Sequence, residues 1–222
     1  VDRGRYLARI GNCAGCHTAP GGKPMAGGLA LQTRHGTFHT PNLTPDPATG
    51  IGTWSRAEFR DALLRGQRPD GSPMYPACPY PDFTHARASD IDAIHAWLRS
   101  LEPVSNETRA HGLDFPYSLR SGVNLWQWAF FEPGPLADEP ARDPADAPGG
   151  RIRGWYAPSL NSPAEAGLQQ WSQAGAAAFL RAGRAPGSVM LGPMAGVVFD
   201  SLQYLESDDA KAMAAYLRAL PT

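Results

Sequence analysis

Apolar residues recur at helical spacing, three and four positions apart, in several stretches of the 222-residue chain. The stretches are residues 6–10, 55–66, 91–101 and 210–220. The second contains signals for both helix ends, because Ser55 and Glu58 form a capping-box pattern and Gly66 follows the last apolar position. Alternation of apolar and polar residues is scarce, while glycine (24) and proline (22) are abundant. The pattern predicts an all-α fold of short helices joined by irregular loops.

The helical pattern occurs twice, at an offset of 116 to 119 residues. WSRAEFRDALLRGQRPDG at 54–71 matches WSQAGAAAFLRAGRAPGS at 171–188, and AWLRSL at 96–101 matches AYLRAL at 215–220. A repeated order of elements is the sequence signature of a duplicated unit. We therefore predict two tandem modules of the same plan.

The first parts of the two copies differ, which predicts three segments along the chain. Residues 1–104 would form the first module, 105–154 the segment between the modules, and 155–222 the second module. FFEPGPLADEPARDPADAPGGRIRGW at 130–155 has no cysteine or histidine and is rich in Pro, Asp and Ala. Such a composition is typical of a linker.

Reactive residues concentrate in CAGCH at 13–17. Two cysteines three apart on a helical turn can each form a thioether to a haem vinyl group, and His17 follows as the proximal iron ligand. A redox CxxC and half of a zinc site are the alternatives, but the chain has neither a βαβ pattern nor a second ligand pair. Because the motif occurs once, we expect one covalent haem c, attached through Cys13 and Cys16. Thioether attachment takes place on the periplasmic side of a bacterial membrane.

The third cysteine, Cys78, lies in MYPACPYPDF at 74–83, which matches MLGPMAGVVF from Met190 at an offset of 116. In this register Cys78 falls on Met194. The loop between the middle and final helices of such a haem module supplies the distal ligand, so we predict Cys78 as an iron ligand. Ligation by Met74, ligation by a histidine and the absence of a protein ligand remain alternatives. A free cysteine is also often only a small buried hydrophobe, and Met194, in the copy without haem, is expected to be a packing residue.

Charge and hydropathy argue against a nucleic-acid partner and against a membrane-spanning segment. The formal net charge is -1 and the basic residues do not cluster, which argues against nucleic acid. The longest apolar stretch, MLGPMAGVVF, is much shorter than the ~18 residues that a membrane span needs. We therefore expect no transmembrane segment in this chain.

The motifs together resemble the cytochrome c subunits of the membrane-bound alcohol, gluconate and aldehyde dehydrogenases of bacteria. The resemblance rests on RGRYLARIGNCAGCHTAPGGKPMAGG, TPNLTPDPATGIGTWS, YPACPYPDF, IDAIHAWLRSLEPV, GWYAPSL, GPMAGVVFDSLQYL and DDAKAMAAYLRALP. It implies two tandem class I cytochrome c-like modules, the second without a haem attachment motif, in a truncated relative that has lost one haem. By resemblance, Cys13 and Cys16 attach haem, His17 is proximal, and Cys78 stands where the family has methionine. Members typically have three haem modules and a C-terminal membrane anchor, and pass electrons from a dehydrogenase subunit toward quinone or oxidase.

We therefore expect a periplasmic monohaem cytochrome, free or peripheral to the inner membrane. It would transfer electrons to or from a partner redox protein, either a dehydrogenase or an electron acceptor. A thiolate is anionic and favours Fe(III), so ligation by His17 and Cys78 predicts a low reduction potential. The alternatives are a sulfur-oxidising enzyme similar to thiosulfate dehydrogenase and a haem-based sensor or ligand-binding protein. An electron-transfer protein is favoured over a stand-alone enzyme, because most such sulfur-oxidising enzymes carry a second haem.

Overall fold

The chain forms two compact units, Val1–Ala137 and Asp138–Thr222. The computed structural model describes residues 1–134, 150–152, 155–160 and 162–220. Most of the stretch rich in Pro, Asp and Ala therefore lies outside the described residues. The three predicted segments, with bounds at 104 and 154, stay a prediction.

The helices predicted from apolar periodicity are present in both units. The first unit contains α1 (Asp2–Ile10), α2 (Cys13–His17), α3 (Arg56–Arg65), α4 (Tyr80–Phe83), α5 (Ala88–Leu98) and α6 (Ser121–Phe130). The second contains α7 (Gln173–Ala182), α8 (Pro193–Asp200) and α9 (Ser207–Arg218). The capping box predicted for α3 forms, since the Glu58 N–H donates to Ser55 Oγ (3.2 Å) and the Ser55 N–H donates to the Glu58 carboxylate (2.7 Å).

The first unit is organised by the close crossing of α1 and α5. Gly4 lies at the crossing, and a Cβ at this position would overlap the backbone carbonyl of Ala93 and approach Cβ of Trp97 to 2.9 Å. The absence of a side chain therefore sets how closely the two helices approach. The buried cluster of this unit contains Ala8, Met25, Ile51, Phe59, Ile91, Ile94 and Leu98. Cys13 packs against the same cluster, so the crossing also determines the position of α2.

Replacement of Gly4 by alanine should lower the free energy of unfolding by about 1–3 kcal/mol, the usual cost of overpacking. This loss should exceed the ~0.5–1 kcal/mol that alanine gains over glycine in a helix. Gly122, in α6, is the matched control, because a Cβ there would meet no atom within 4 Å. Chemical denaturation of the holoprotein measures both variants, and equal midpoints for Gly4→Ala and Gly122→Ala would contradict the crossing described above.

The expected all-α fold is wrong, because short antiparallel sheets accompany the helices. In the first unit β1 (Ala30–Thr33), β2 (Gly36–His39) and β3 (Gly112–Leu113) pair in the order β1-β2-β3. In the second unit β4 (Gly150–Ile152) pairs with β5 (Trp155–Ala157), and β6 (Arg184–Ala185) pairs with β7 (Ser188–Val189). Strands of two to four residues are too short to show the alternation from which a strand is predicted, and backbone pairing rather than an apolar face defines them.

The expected pair of tandem class I modules is also wrong. In the first unit α5 packs mainly on α1, whereas in the second unit α9 packs mainly on α7. The described part of the second unit has no helix in the place of α1 or α2. The repeated residues specify a helix and its ends: Ser172 Oγ caps α7 by accepting from the Gly175 N–H (3.0 Å), and Gly183 ends it. Such local signals do not determine what a helix packs against. Met194, which was expected to be a packing residue, is 42% exposed.

None of the helices among the described residues combines the length and hydrophobicity that crossing a bilayer requires.

Candidate functional site

The CAGCH motif forms α2, directly after α1. Asn12 separates the two helices in the left-handed conformation (φ 53°). Burial and, to a smaller extent, the neighbouring Cys16 raise the pKa of Cys13 to about 11. Burial also raises the pKa of Cys16. The two thiols are therefore neighbours on one short helix, as the spacing predicts, and both are neutral at pH 7 in the protein alone.

His17 is held by one backbone carbonyl. Its Nδ1 lies 2.8 Å from the oxygen of Pro41. A carbonyl oxygen can only accept a hydrogen bond, so Nδ1 carries the proton and Nε2 is left with a free lone pair. Desolvation by burial lowers the pKa of His17, which also favours the neutral ring. A neutral imidazole whose Nδ1–H is anchored to a carbonyl is a well-oriented metal ligand.

Gly27 brings the Pro41 carbonyl to His17. Its N–H donates to the His17 carbonyl (2.8 Å). Its φ is +71°, and a Cβ at this position would overlap the carbonyl group of Pro41. Only glycine combines this backbone conformation with so close an approach. Neither residue was predictable from the sequence, because a backbone acceptor has no residue-type signature.

Cys78 lies in the loop between α3 and α4, near enough to the attachment cysteines for their thiols to influence its pKa. Burial raises the pKa of Cys78 to about 12, and the nearby Cys13 and Cys16 thiols add to the rise. The three thiols therefore lie in the same region of the first unit, although not in metal-binding geometry. Met74, the alternative ligand, lies at the start of the same loop, where its N–H donates to the Gly66 carbonyl (2.7 Å).

The remaining histidines have contacts elsewhere in the first unit. His95 stacks on Phe59 with ring centroids 4.9 Å apart. His111 Nδ1 accepts from the His39 N–H (3.2 Å). The other two are His35, which lies against Tyr117, and His85, which lies 3.0 Å from the Gly134 carbonyl oxygen.

The donor set suits a covalently attached haem. Two neighbouring thiols on one helical turn match two vinyl groups, and an imidazole with an unprotonated Nε2 follows them directly. A zinc site fits less well, because no group of three or more Cys, His, Asp or Glu in metal-binding geometry occurs among the described residues. The arrangement can therefore hold haem iron, with His17 on one side.

Comparison with known proteins agrees with this chemistry. The sequence model of the family described as cytochrome c matches residues 1–102. The cytochrome c subunit of alcohol dehydrogenase (quinone) from Gluconacetobacter polyoxogenes is 35% identical over 100% of this chain and 56% of its own length. The cytochrome c subunit of gluconate 2-dehydrogenase from Pantoea cypripedii is 32% identical over 99% of this chain and 59% of its own length. The chain thus spans somewhat more than half the length of these relatives.

A third relative aligns with this chain over most of the length of both proteins. The diheme cytochrome c-type protein of Cereibacter sphaeroides is 30% identical over 100% of this chain and 86% of its own length. The overlap is nearly complete in both directions, and the helix that carries CAGCH packs on the core of the first unit. This chain therefore belongs to the cytochrome c family, whose members carry covalently bound haem c.

Proposed function

We propose that this chain is a periplasmic cytochrome with one haem, which transfers electrons to or from a partner redox protein. In this proposal Cys13 and Cys16 would attach the haem, and His17 and Cys78 would ligate its iron. The observation that carries the proposal is the position of Cys78 in the same region of the first unit as both attachment cysteines. Met74 is the alternative ligand in the same loop.

The bound haem would supply a one-electron Fe(III)/Fe(II) couple. The protein residues would set its properties in three ways. The Pro41 carbonyl holds the proton of His17 Nδ1, which keeps Nε2 available. The Cys78 sulfur, as a thiolate, would place a negative charge on the iron and favour Fe(III). The apolar cluster behind Cys13 would keep water away from one side of the haem.

A single haem is supported by the single CxxCH motif of the chain. The alignment with the alcohol dehydrogenase subunit extends over 261 residues, more than the 222 of this chain. The relative therefore has residues that this chain lacks. The loss of a haem-binding segment is consistent with that difference.

A dehydrogenase is the class of partner that the relatives favour. Two of them bear the names of cytochrome c subunits of alcohol and gluconate dehydrogenases. An electron carrier with a haem attached through thioethers works outside the bacterial cytoplasm, so we place the protein in the periplasm. With one haem and no second redox centre proposed, transfer to or from a partner is favoured over catalysis by the chain alone.

The test is a potentiometric titration of the purified holoprotein, followed by spectroscopy. We expect one reversible one-electron wave, no turnover with thiosulfate, and no CO binding to the ferrous form. Turnover with thiosulfate would instead identify a sulfur-oxidising enzyme. CO binding without electron exchange with any dehydrogenase would identify a sensor or ligand-binding protein.

A further inference from the structure

The backbone of Cys78 is hydrogen-bonded to the backbone of two tyrosines. The Cys78 N–H donates to the Tyr75 carbonyl (3.1 Å), and the Tyr80 N–H donates to the Cys78 carbonyl (2.8 Å). These bonds make a tight turn that fixes the backbone of Cys78 between Tyr75 and Tyr80. The position of the sulfur therefore depends on what holds Tyr75 and Tyr80.

Tyr75 is held by the segment before α6. Its hydroxyl donates to the Tyr117 carbonyl (3.0 Å). The Arg120 guanidinium lies over its ring, 4.8 Å from the centroid, an attractive arrangement of a cation and an aromatic face. Arg120 also donates through Nη1 to the Pro73 carbonyl (2.9 Å). Arg120 thus contacts the start of the Cys78 loop at two points, the Pro73 carbonyl and the Tyr75 ring.

Tyr80 is held by α6 itself. Its side chain is fully buried (0% exposed). Gln127 Nε2 donates to the Tyr80 hydroxyl (3.1 Å) and to the Gly66 carbonyl (3.2 Å). The Phe131 ring meets the Tyr80 ring edge to face, with centroids 5.1 Å apart. Gln127 thus connects the exit of the Cys78 loop to the end of α3.

We propose that Arg120 and Gln127 are positioning residues for the distal ligand. They lie outside residues 1–102, the part that matches the cytochrome c family, yet they hold the loop of Cys78 from both sides. This inference rests on the proposed function, since it requires Cys78 to be an iron ligand. A loop anchored at both ends loses conformational freedom, so these anchors would oppose displacement of the Cys78 sulfur from a bound iron.

The rate at which added imidazole displaces the distal ligand of the ferric holoprotein tests the inference. Gln127→Ala and Arg120→Ala should each accelerate displacement by about tenfold, since a lost hydrogen bond of ordinary strength changes an equilibrium by about that factor. Asn124→Ala is the matched control, because Asn124 is an exposed amide on the same helix. Its rate should equal that of the unsubstituted protein. Cys78→Ala gives the rate for a site without the sulfur.

The outcomes separate the two proposals. If Cys78→Ala binds imidazole no faster than the unsubstituted protein, Cys78 is not the ligand, and both proposals fail. If Cys78→Ala is faster but Gln127→Ala and Arg120→Ala behave like Asn124→Ala, only the positioning role fails. If Arg120 and Gln127 only stabilise the fold, their substitution by alanine would lower the thermal midpoint and leave the displacement rate and the ferric spectrum unchanged. If Gln127→Ala does not yield folded holoprotein, Gln127→Met, which keeps the length and loses both hydrogen bonds, is judged by the same criteria.

Discussion

Replacement of Cys78 by methionine should raise the reduction potential of the haem by on the order of 300 mV, within the ≈ 0.8 V that axial ligands span. The thioether of methionine is neutral and favours Fe(II), whereas a thiolate is anionic and favours Fe(III). A change of this size corresponds to about five decades in the one-electron equilibrium at ~59 mV per decade. Potentiometry with optical detection measures the potential, and the ferric spectrum should change from that of a thiolate-ligated haem to that of a His/Met cytochrome.

Met74→Leu is the control for this experiment, because Met74 lies in the same loop and is the alternative ligand. It should leave the potential and the ferric spectrum unchanged. If instead Met74→Leu alters both while Cys78→Met alters neither, Met74 is the ligand. Cys78 would then be a packing residue, in agreement with its half-buried position.

The double substitution Cys13→Ser/Cys16→Ser should abolish covalent haem, from about one haem per chain to none, because thioether formation needs both thiols of the single CxxCH motif. The pyridine haemochrome assay against protein concentration measures the ratio. The apoprotein should also be less stable than the holoprotein, since Cys13 belongs to the apolar packing of the first unit and a ligand bound only by the native state stabilises it.

Cys78→Ser is the matched control for haem attachment. It removes the third thiol and should retain about one covalent haem per chain, because Cys78 is proposed as an axial ligand and not as an attachment site. A ratio near two in the unsubstituted protein would overturn the single-haem proposal. Loss of covalent haem in Cys78→Ser would show that the third thiol takes part in attachment.

The helices were predictable from the sequence because their signals are local. The capping residues Ser55 and Glu58 form the bonds that the spacing predicts, and apolar positions three and four apart became the buried faces of α3 and α5. The sheets were not predictable, since β1 and β2 are paired strands of four residues each with no alternating burial. The same locality explains the wrong expectation of tandem modules: α3 packs on α5 as α7 packs on α9, but the described part of the second unit has no counterpart of α1, on which α5 mainly packs.

The candidate site was predictable only in part. Cys13, Cys16 and His17 follow from one pentapeptide whose spacing has a chemical reason. Cys78 was predicted from its register with Met194, and that register came from a repeat that does not extend to a second module of the same fold. The placement of Cys78 beside Cys13 nevertheless follows from the first unit alone, in which the loop after α3 returns to α2.

The sequence by itself determined the approximate positions of α1, α3, α5 and α9, the caps of α3, the single CAGCH motif and the family that the chain resembles. Each of these depends on residues within a few positions of one another. Only the tertiary structure decided that the Pro41 carbonyl orients His17, and that Arg120 and Gln127 hold the loop of Cys78. Those contacts join residues 24 to 47 positions apart and use backbone carbonyls or a tyrosine hydroxyl as acceptors. A carbonyl group is common to every residue, so its partner is determined by how the chain folds back on itself and not by residue type.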